Sequence, residues 1–145
     1  MFKRVVWATD GSDDADQALP QAKTFAAEAG GALVVVHCEE MTLPGKGGGS
    51  LPRNANEDEL QKKIERQVAD LSNEGIQASF HLVKSQVGGA AHAIVELATK
   101  EQADVIVVGT RGHTVLVGLL VGSVAQRLLH IAPCPVLVVP ASRSA

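Results

Sequence analysis

Apolar and polar positions along the chain fall into two patterns, and the order in which they alternate predicts the fold. Four short runs, at residues 5–8, 33–36, 105–108 and 136–139, are almost continuously apolar, and three of them are rich in valine. Runs of this length and composition predict strands covered on both faces. A fifth run, residues 77–83, alternates instead, with Ala78, Phe80 and Leu82 set against Ser79 and His81. That period of two predicts a half-exposed strand at an edge of the sheet.

Segments of helical length lie between these runs. In the first, Ala15, Ala18, Leu19, Ala22, Phe25, Ala26 and Ala29 recur at helical spacing, with Asp16, Gln17, Gln21, Lys23 and Glu28 on the other face. Ser12 or Asp13 can cap its start, and Gly30 with Gly31 can end it. Pro20 is discordant, because it removes a backbone donor and predicts a bend. The second segment stripes Leu60, Ile64, Val68 and Leu71 and ends at Gly75. The third offers Ile94, Leu97 and Ala98. The fourth offers Val121, Val124, Ala125, Leu128, Leu129 and Ala132, stopped by Pro133.

Strand and helix alternate throughout, which predicts an α/β fold with a mostly parallel sheet, helices on both faces and right-handed crossovers. The length of 145 residues predicts one domain, residues 1–145. Residues 45–52, containing Gly47, Gly48 and Gly49, predict a mobile loop within that domain. No repeat of solenoid period is present.

Composition narrows the function classes. The formal charge is −3, Lys and Arg are scattered, and there are only one tryptophan, three phenylalanines and no tyrosine. Neither a basic footprint nor a base-stacking platform for nucleic acid is predicted. No apolar run approaches the roughly 20 residues that span a bilayer, and the N-terminus lacks a signal-peptide pattern. Cys38 in an apolar run and Cys134 between two prolines form no disulfide or metal spacing, which predicts a reduced, cytoplasmic setting.

In open parallel sheets, ligands bind at the carboxyl ends of strands, near the point where strand order reverses. Three such ends carry candidate chemistry: Thr9-Asp10-Gly11-Ser12, His37-Cys38 and Gly109-Thr110-Arg111-Gly112. After Gly112 come nine residues, then Gly122-Ser123 opening the fourth helix. Glycines let backbone N–H groups approach phosphate oxygens, and a helix start adds unpaired N–H groups and a positive dipole end. The same glycines would serve equally in a tight turn and an uncrowded helix start, and the glycines alone do not choose. Asp10 likewise fits either a ligand contact or an ordinary turn at a helix start.

The pattern G-x-x-G-x(9)-G-S, made by Gly109, Gly112, Gly122 and Ser123, resembles the ATP-binding signature of the universal stress protein family. The similarity extends through Val5-Val6-Trp7-Ala8-Thr9-Asp10-Gly11-Ser12, Val34-Val35-Val36-His37, Val87-Gly88 and Pro133-Cys134-Pro135-Val136-Leu137-Val138-Val139. It implies membership of the ATP-binding subgroup and a Rossmann-like, open five-stranded parallel sheet in the order 3-2-1-4-5, dimeric through the last strand. By position, it places Asp10 toward the ribose or base edge, Ala8 and the Cys38 backbone around adenine, and Val108 near the sugar. Gly109, Gly112, Gly122, Ser123 and Val124 would hold the phosphates of ATP, or another adenine nucleotide, with Mg²⁺. Roles for Arg111 and His113 stay open.

What is missing constrains mechanism. There is no P-loop lysine motif, no dinucleotide fingerprint, no metal-ligand spacing among the five histidines and no assembled catalytic constellation. Phosphoryl transfer needs placed metal ligands and charge stabilisers at the γ-phosphate. The resemblance implies a nucleotide-binding stress-response sensor or regulator, and these absences add the expectation of slow or no hydrolysis. Two alternatives use the same residues: a slow ATPase or nucleotide transferase, and a nucleotide-free protein-interaction module.

Overall fold

Strands apolar on both faces need cover on both, and the chain provides it by setting three of its four apolar runs side by side at the centre of a parallel sheet. The computed structural model describes residues 2–39, 41–42, 51–52, 56–85, 89–110 and 121–140. In chain order the elements are β1 (Arg4–Ala8), α1 (Asp13–Ala29), β2 (Ala32–Glu39), β3 (Met41–Thr42), β4 (Leu51–Pro52) and α2 (Glu57–Asn73). They continue with β5 (Gln77–Lys84), α3 (Gly89–Lys100), β6 (Val105–Gly109), α4 (Ser123–Ile131) and β7 (Val136–Val139). The five-stranded sheet runs β5-β2-β1-β6-β7, with every pairing parallel. Counted along the chain within that sheet, this is the order 3-2-1-4-5.

Strand alternation divides the core in two. Val5, Trp7, Leu33, Val35, Val105 and Val107 point to the face covered by α1 and α2, where Ala18, Ala22, Ile64 and Leu71 meet them. Val6, Ala8, Val34, Val36, Ile106 and Val108 point to the face covered by α3 and α4, against Ile94, Leu97, Ala125 and Leu128. The alternating run is indeed an edge strand, β5. The last apolar run departs from expectation: every residue of β7 is only half-buried, because β7 is the opposite edge and has a strand on one side alone. Leu129, expected among the apolar stripe of α4, is 55% exposed. Leu51 and Pro52, expected in a mobile loop, pair antiparallel with Thr42 and Met41. The rest of that stretch lies outside the described residues.

Helix α1 approaches the sheet closely because its inner face is alanine: Ala15, Ala18, Ala22 and Ala26 are buried. Ser12 is its N-cap, with the Ala15 N–H donating to Ser12 Oγ at 3.2 Å, and Gly30 ends it in the left-handed conformation at φ 58°. The helix continues through Pro20, which is exposed. Trp7, with no exposure, donates its Nε1–H to the Ala15 carbonyl at 3.1 Å, so its one polar atom is satisfied within the core.

At the amino end of the sheet, Asp104 sets the start of β1 against β6. Its carboxylate accepts the N–H groups of Arg4 at 2.8 Å and Lys3 at 2.9 Å, while its own N–H donates to the Arg4 carbonyl. These backbone donors, Arg4 first, hold the Asp104 carboxyl below its usual range. A lowered acid contributes stability that is present above the usual carboxylate range and lost as pH falls through its folded value. Thermal unfolding should therefore show Asp104→Asn less stable than wild type at neutral pH, with the gap closing in strong acid. A gap independent of pH would refute this role.

Candidate functional site

The strand order places the reversal beside β1: the chain leaves it for β2 and β5 on one side, then crosses to β6 and β7 on the other. Carboxyl ends of β2, β1 and β6 thus lie side by side, and the candidate residues on them become neighbours across the sheet. Ala8 is the last residue of β1, buried, paired with Val36 and in the same core cluster as Val108. Cys38, half-buried, lies two residues beyond Val36 on β2 and shares its face by alternation. Val124, on the first turn of α4, packs against the same cluster. Ala8, Cys38, Val108 and Val124 therefore share the α3/α4 side of the sheet, whereas Gly109 abuts α1 on the other.

The turn after β1 is self-satisfied. Thr9 N–H donates to the Val36 carbonyl at 2.9 Å, Gly11 N–H to Thr9 Oγ1 at 3.0 Å and Ser12 N–H to Asp10 Oδ1 at 2.9 Å. Asp10 is thus both a turn-former and a half-buried carboxylate at the strand end. Helix α2 braces the turn from behind. The Lys63 ammonium donates to the Gly11 carbonyl at 2.8 Å and pairs with Asp16 at 2.6 Å, and Gln67 donates to the second Asp16 oxygen at 2.9 Å. A Cβ on Gly11, whose φ is +80°, would stand 2.7 Å from Leu60 Cδ2.

The glycines separate by role. Gly109 ends β6, fully inside the fold, and a Cβ there would sit 2.8 Å from the Asp14 carbonyl carbon and closer still to its oxygen. Its lack of a side chain is therefore required by the first turn of α1. Gly122 is the N-cap of α4, with φ −66° and ψ 163° and no side-chain cap. Its own N–H donates to the Thr110 carbonyl, and its carbonyl accepts Gln126 N–H at 2.9 Å. The N–H groups that a helix start leaves without helical partners are consequently those of Ser123, Val124 and Ala125. Ser123 is exposed at that end. Gly112, Arg111 and His113 lie outside the described residues.

Sequence reasoning noted His37 near the site and did not connect it to Glu57. The structure buries the two together at the carboxyl end of β2. Glu57 opens α2 twenty residues later in the chain, so no local spacing announced the pair. Cys134 is half-buried against the α3/α4-side core, and burial, then the Asp104 charge, push its thiol up.

The sequence model of the universal stress protein family matches residues 1–140. The chain belongs to that family. A universal stress protein of Methanocaldococcus jannaschii is 36% identical over 143 residues, covering 96% of this chain and 82% of the relative. A universal stress protein solved in complex with cAMP has a TM-score of 0.69 at 26% identity, covering 97% of this chain and 98% of that one. The Archaeoglobus fulgidus universal stress protein in complex with dAMP has a TM-score of 0.66 at 27% identity, covering 95% and 97%. This universal stress protein shares their fold. Among its described residues no helix is long and apolar enough to cross a membrane.

Proposed function

We propose that this universal stress protein binds an adenine nucleotide, ATP in the cytoplasm, across the carboxyl ends of β2, β1 and β6. The observation that carries the reading is the contrast between two helix starts at that cleft. Helix α1 closes its own first turn with the Ser12 hydroxyl, whereas α4 begins at a glycine that supplies no side-chain cap. The first-turn N–H groups of α4 and its positive dipole end suit phosphate oxygens. The buried apolar wall of Ala8 and Val108, with the Cys38 backbone alongside, suits adenine and ribose, and Asp10 stands two residues beyond Ala8 at the carboxyl end of β1. Relatives solved with cAMP and dAMP support an adenylate in particular.

Among the described residues no cluster of three or more His, Cys, Asp or Glu side chains could hold a metal ion. In this reading Mg²⁺ arrives on the nucleotide, with phosphate and water supplying its ligands. The polar candidates for phosphoryl transfer are Asp10, Ser123 and Arg111, of which Asp10 and Ser123 lie among the described residues, and in this reading the bound nucleotide acts as a signal with slow or no turnover. The edge strand β7, half-buried and apolar, is the surface through which two copies would pair as a stress-responsive homodimer.

Calorimetric titration with ATP, AMP and cAMP, joined to mass spectrometry of whatever copurifies, tests the reading. Saturable binding of at least one adenylate is expected. No binding by any of the three, with no adenylate in the purified protein, would sink it in favour of an interaction module.

A further inference from the structure

The buried His37–Glu57 pair is a device that the nucleotide cleft does not itself require. The two side chains are 4% and 6% exposed, with Nε2 and Oε1 2.6 Å apart. On the other side of the ring, Nδ1 lies 2.9 Å from the Thr9 carbonyl oxygen. One imidazole therefore spans from the residue preceding Asp10 to the first residue of α2. Little water reaches either contact.

Donor and acceptor roles follow from the partners. A carbonyl oxygen only accepts, so Nδ1 carries a hydrogen. Nε2 then shares one proton with Glu57, as an imidazolium facing a carboxylate or as a neutral ring accepting from a carboxyl group. Both arrangements hold the same number of protons and make both bonds. With that proton removed, every tautomer of the ring sets one nitrogen lone pair against an oxygen lone pair. One of the two bonds is then lost, in a site where an unmade hydrogen bond is costly.

Among the described residues, His37 meets the Glu57 carboxylate. From α2, Lys63 is engaged by Asp16 and the Gly11 carbonyl. On β2 itself, Glu39 is buried two residues further along the same face, and Lys84 of β5 stands in register with Glu39 rather than with His37, which pairs with Leu82. On the β1 side the neighbouring acid is Asp10, whose Oδ1 accepts the Ser12 N–H.

We propose that His37 and Glu57 form a proton-dependent strut that positions the 9–12 turn, and Asp10 with it, for the nucleotide; this rests on the adenylate reading above. His37 is thus a positioning residue. While the strut holds its proton, α2 is tied to the Thr9 carbonyl and the turn is braced from both ends, by His37 at Thr9 and by Lys63 at Gly11. Loss of the proton frees the start of α2 and loosens the turn, so nucleotide affinity falls as pH rises. Glu57→Gln isolates the proton: its amide N–H can donate to Nε2 of a neutral ring, restoring both bonds without the extra proton.

Two measurements test this. The first is amide-exchange protection in ligand-free protein at Leu60, whose N–H donates to the Asn56 carbonyl in the first turn of α2, and at Gly11 and Ser12. The second is calorimetric titration with ATP. As pH is raised from mildly acidic to mildly alkaline, wild-type protection and ATP affinity should fall together by about tenfold. In Glu57→Gln both should change by less than about twofold, the scale of ordinary contextual variation. His37→Phe should be weak at both ends of the range. A flat wild-type profile, or a Glu57→Gln profile parallel to wild type, overturns the strut. A wild-type protection profile that falls as stated, without ATP binding at any pH, supports the strut and overturns the adenylate reading.

Discussion

Gly109→Ala is expected to lower the stability of the fold by about 2–3 kcal/mol, the usual cost of forcing extra atoms into a packed interior. The midpoint of thermal unfolding should fall by roughly 5–10 °C in a domain of this size. The cause is steric and lies on the backbone of another element. The added methyl would meet the Asp14 carbonyl and, at 3.2 Å, the Ala15 amide nitrogen. Neither can move as a flexible side chain would, since both belong to the first turn of α1, which Ser12 caps and Trp7 holds through the Ala15 carbonyl. Either α1 lifts away from β6, exposing its alanine face, or the strand end shifts. Urea unfolding with an unchanged slope would measure the loss directly. Wild-type stability in this variant would mean that the approach of α1 to β6 is looser than the structure shows.

Gly122→Asp is expected to separate stability from binding. The N-cap has φ −66° and ψ 163°, extended values open to any residue, so the substitution strains no backbone. Aspartate is among the best N-cap residues and should accept an N–H from the first turn of α4, raising stability by a few tenths of a kcal/mol over glycine. The same carboxylate would occupy the donors assigned to phosphate and repel its charge. ATP affinity should drop by about a hundredfold or more, equivalent to about 2.7 kcal/mol. Both readouts matter: lost affinity with an intact or slightly raised unfolding midpoint is the expected pair. Unchanged ATP affinity would remove the α4 start from the phosphate site.

These two variants show why the glycine signature needed a structure to be read. In the sequence, Gly109 and Gly122 look equivalent, two members of one spaced pattern. In the fold, one glycine admits a neighbouring helix and the other leaves a helix start uncapped. Asp10 shows the same doubling: the turn reading and the ligand reading both apply, because Oδ1 serves Ser12 while the residue stands at the strand end.

What the sequence determined by itself is whatever its local periodicity encodes. The alternation of residues 77–83 marked an edge strand, and three of the four continuous apolar runs, 5–8, 33–36 and 105–108, became central strands. Alanines at helical spacing marked the face of α1 that meets the sheet, and Ser12 and Gly30 marked its ends. These signals are short-range, since a strand or helix reports its burial through its own repeat. The tertiary structure alone decided that residues 136–139 form an edge, since an apolar run does not say whether both its neighbours exist. It alone joined His37 to Glu57 and Lys63 to Gly11, pairs separated by 20 and 52 residues. Such contacts depend on where a crossover helix lands on the sheet, and that is set by the packing of whole elements, which no single segment records.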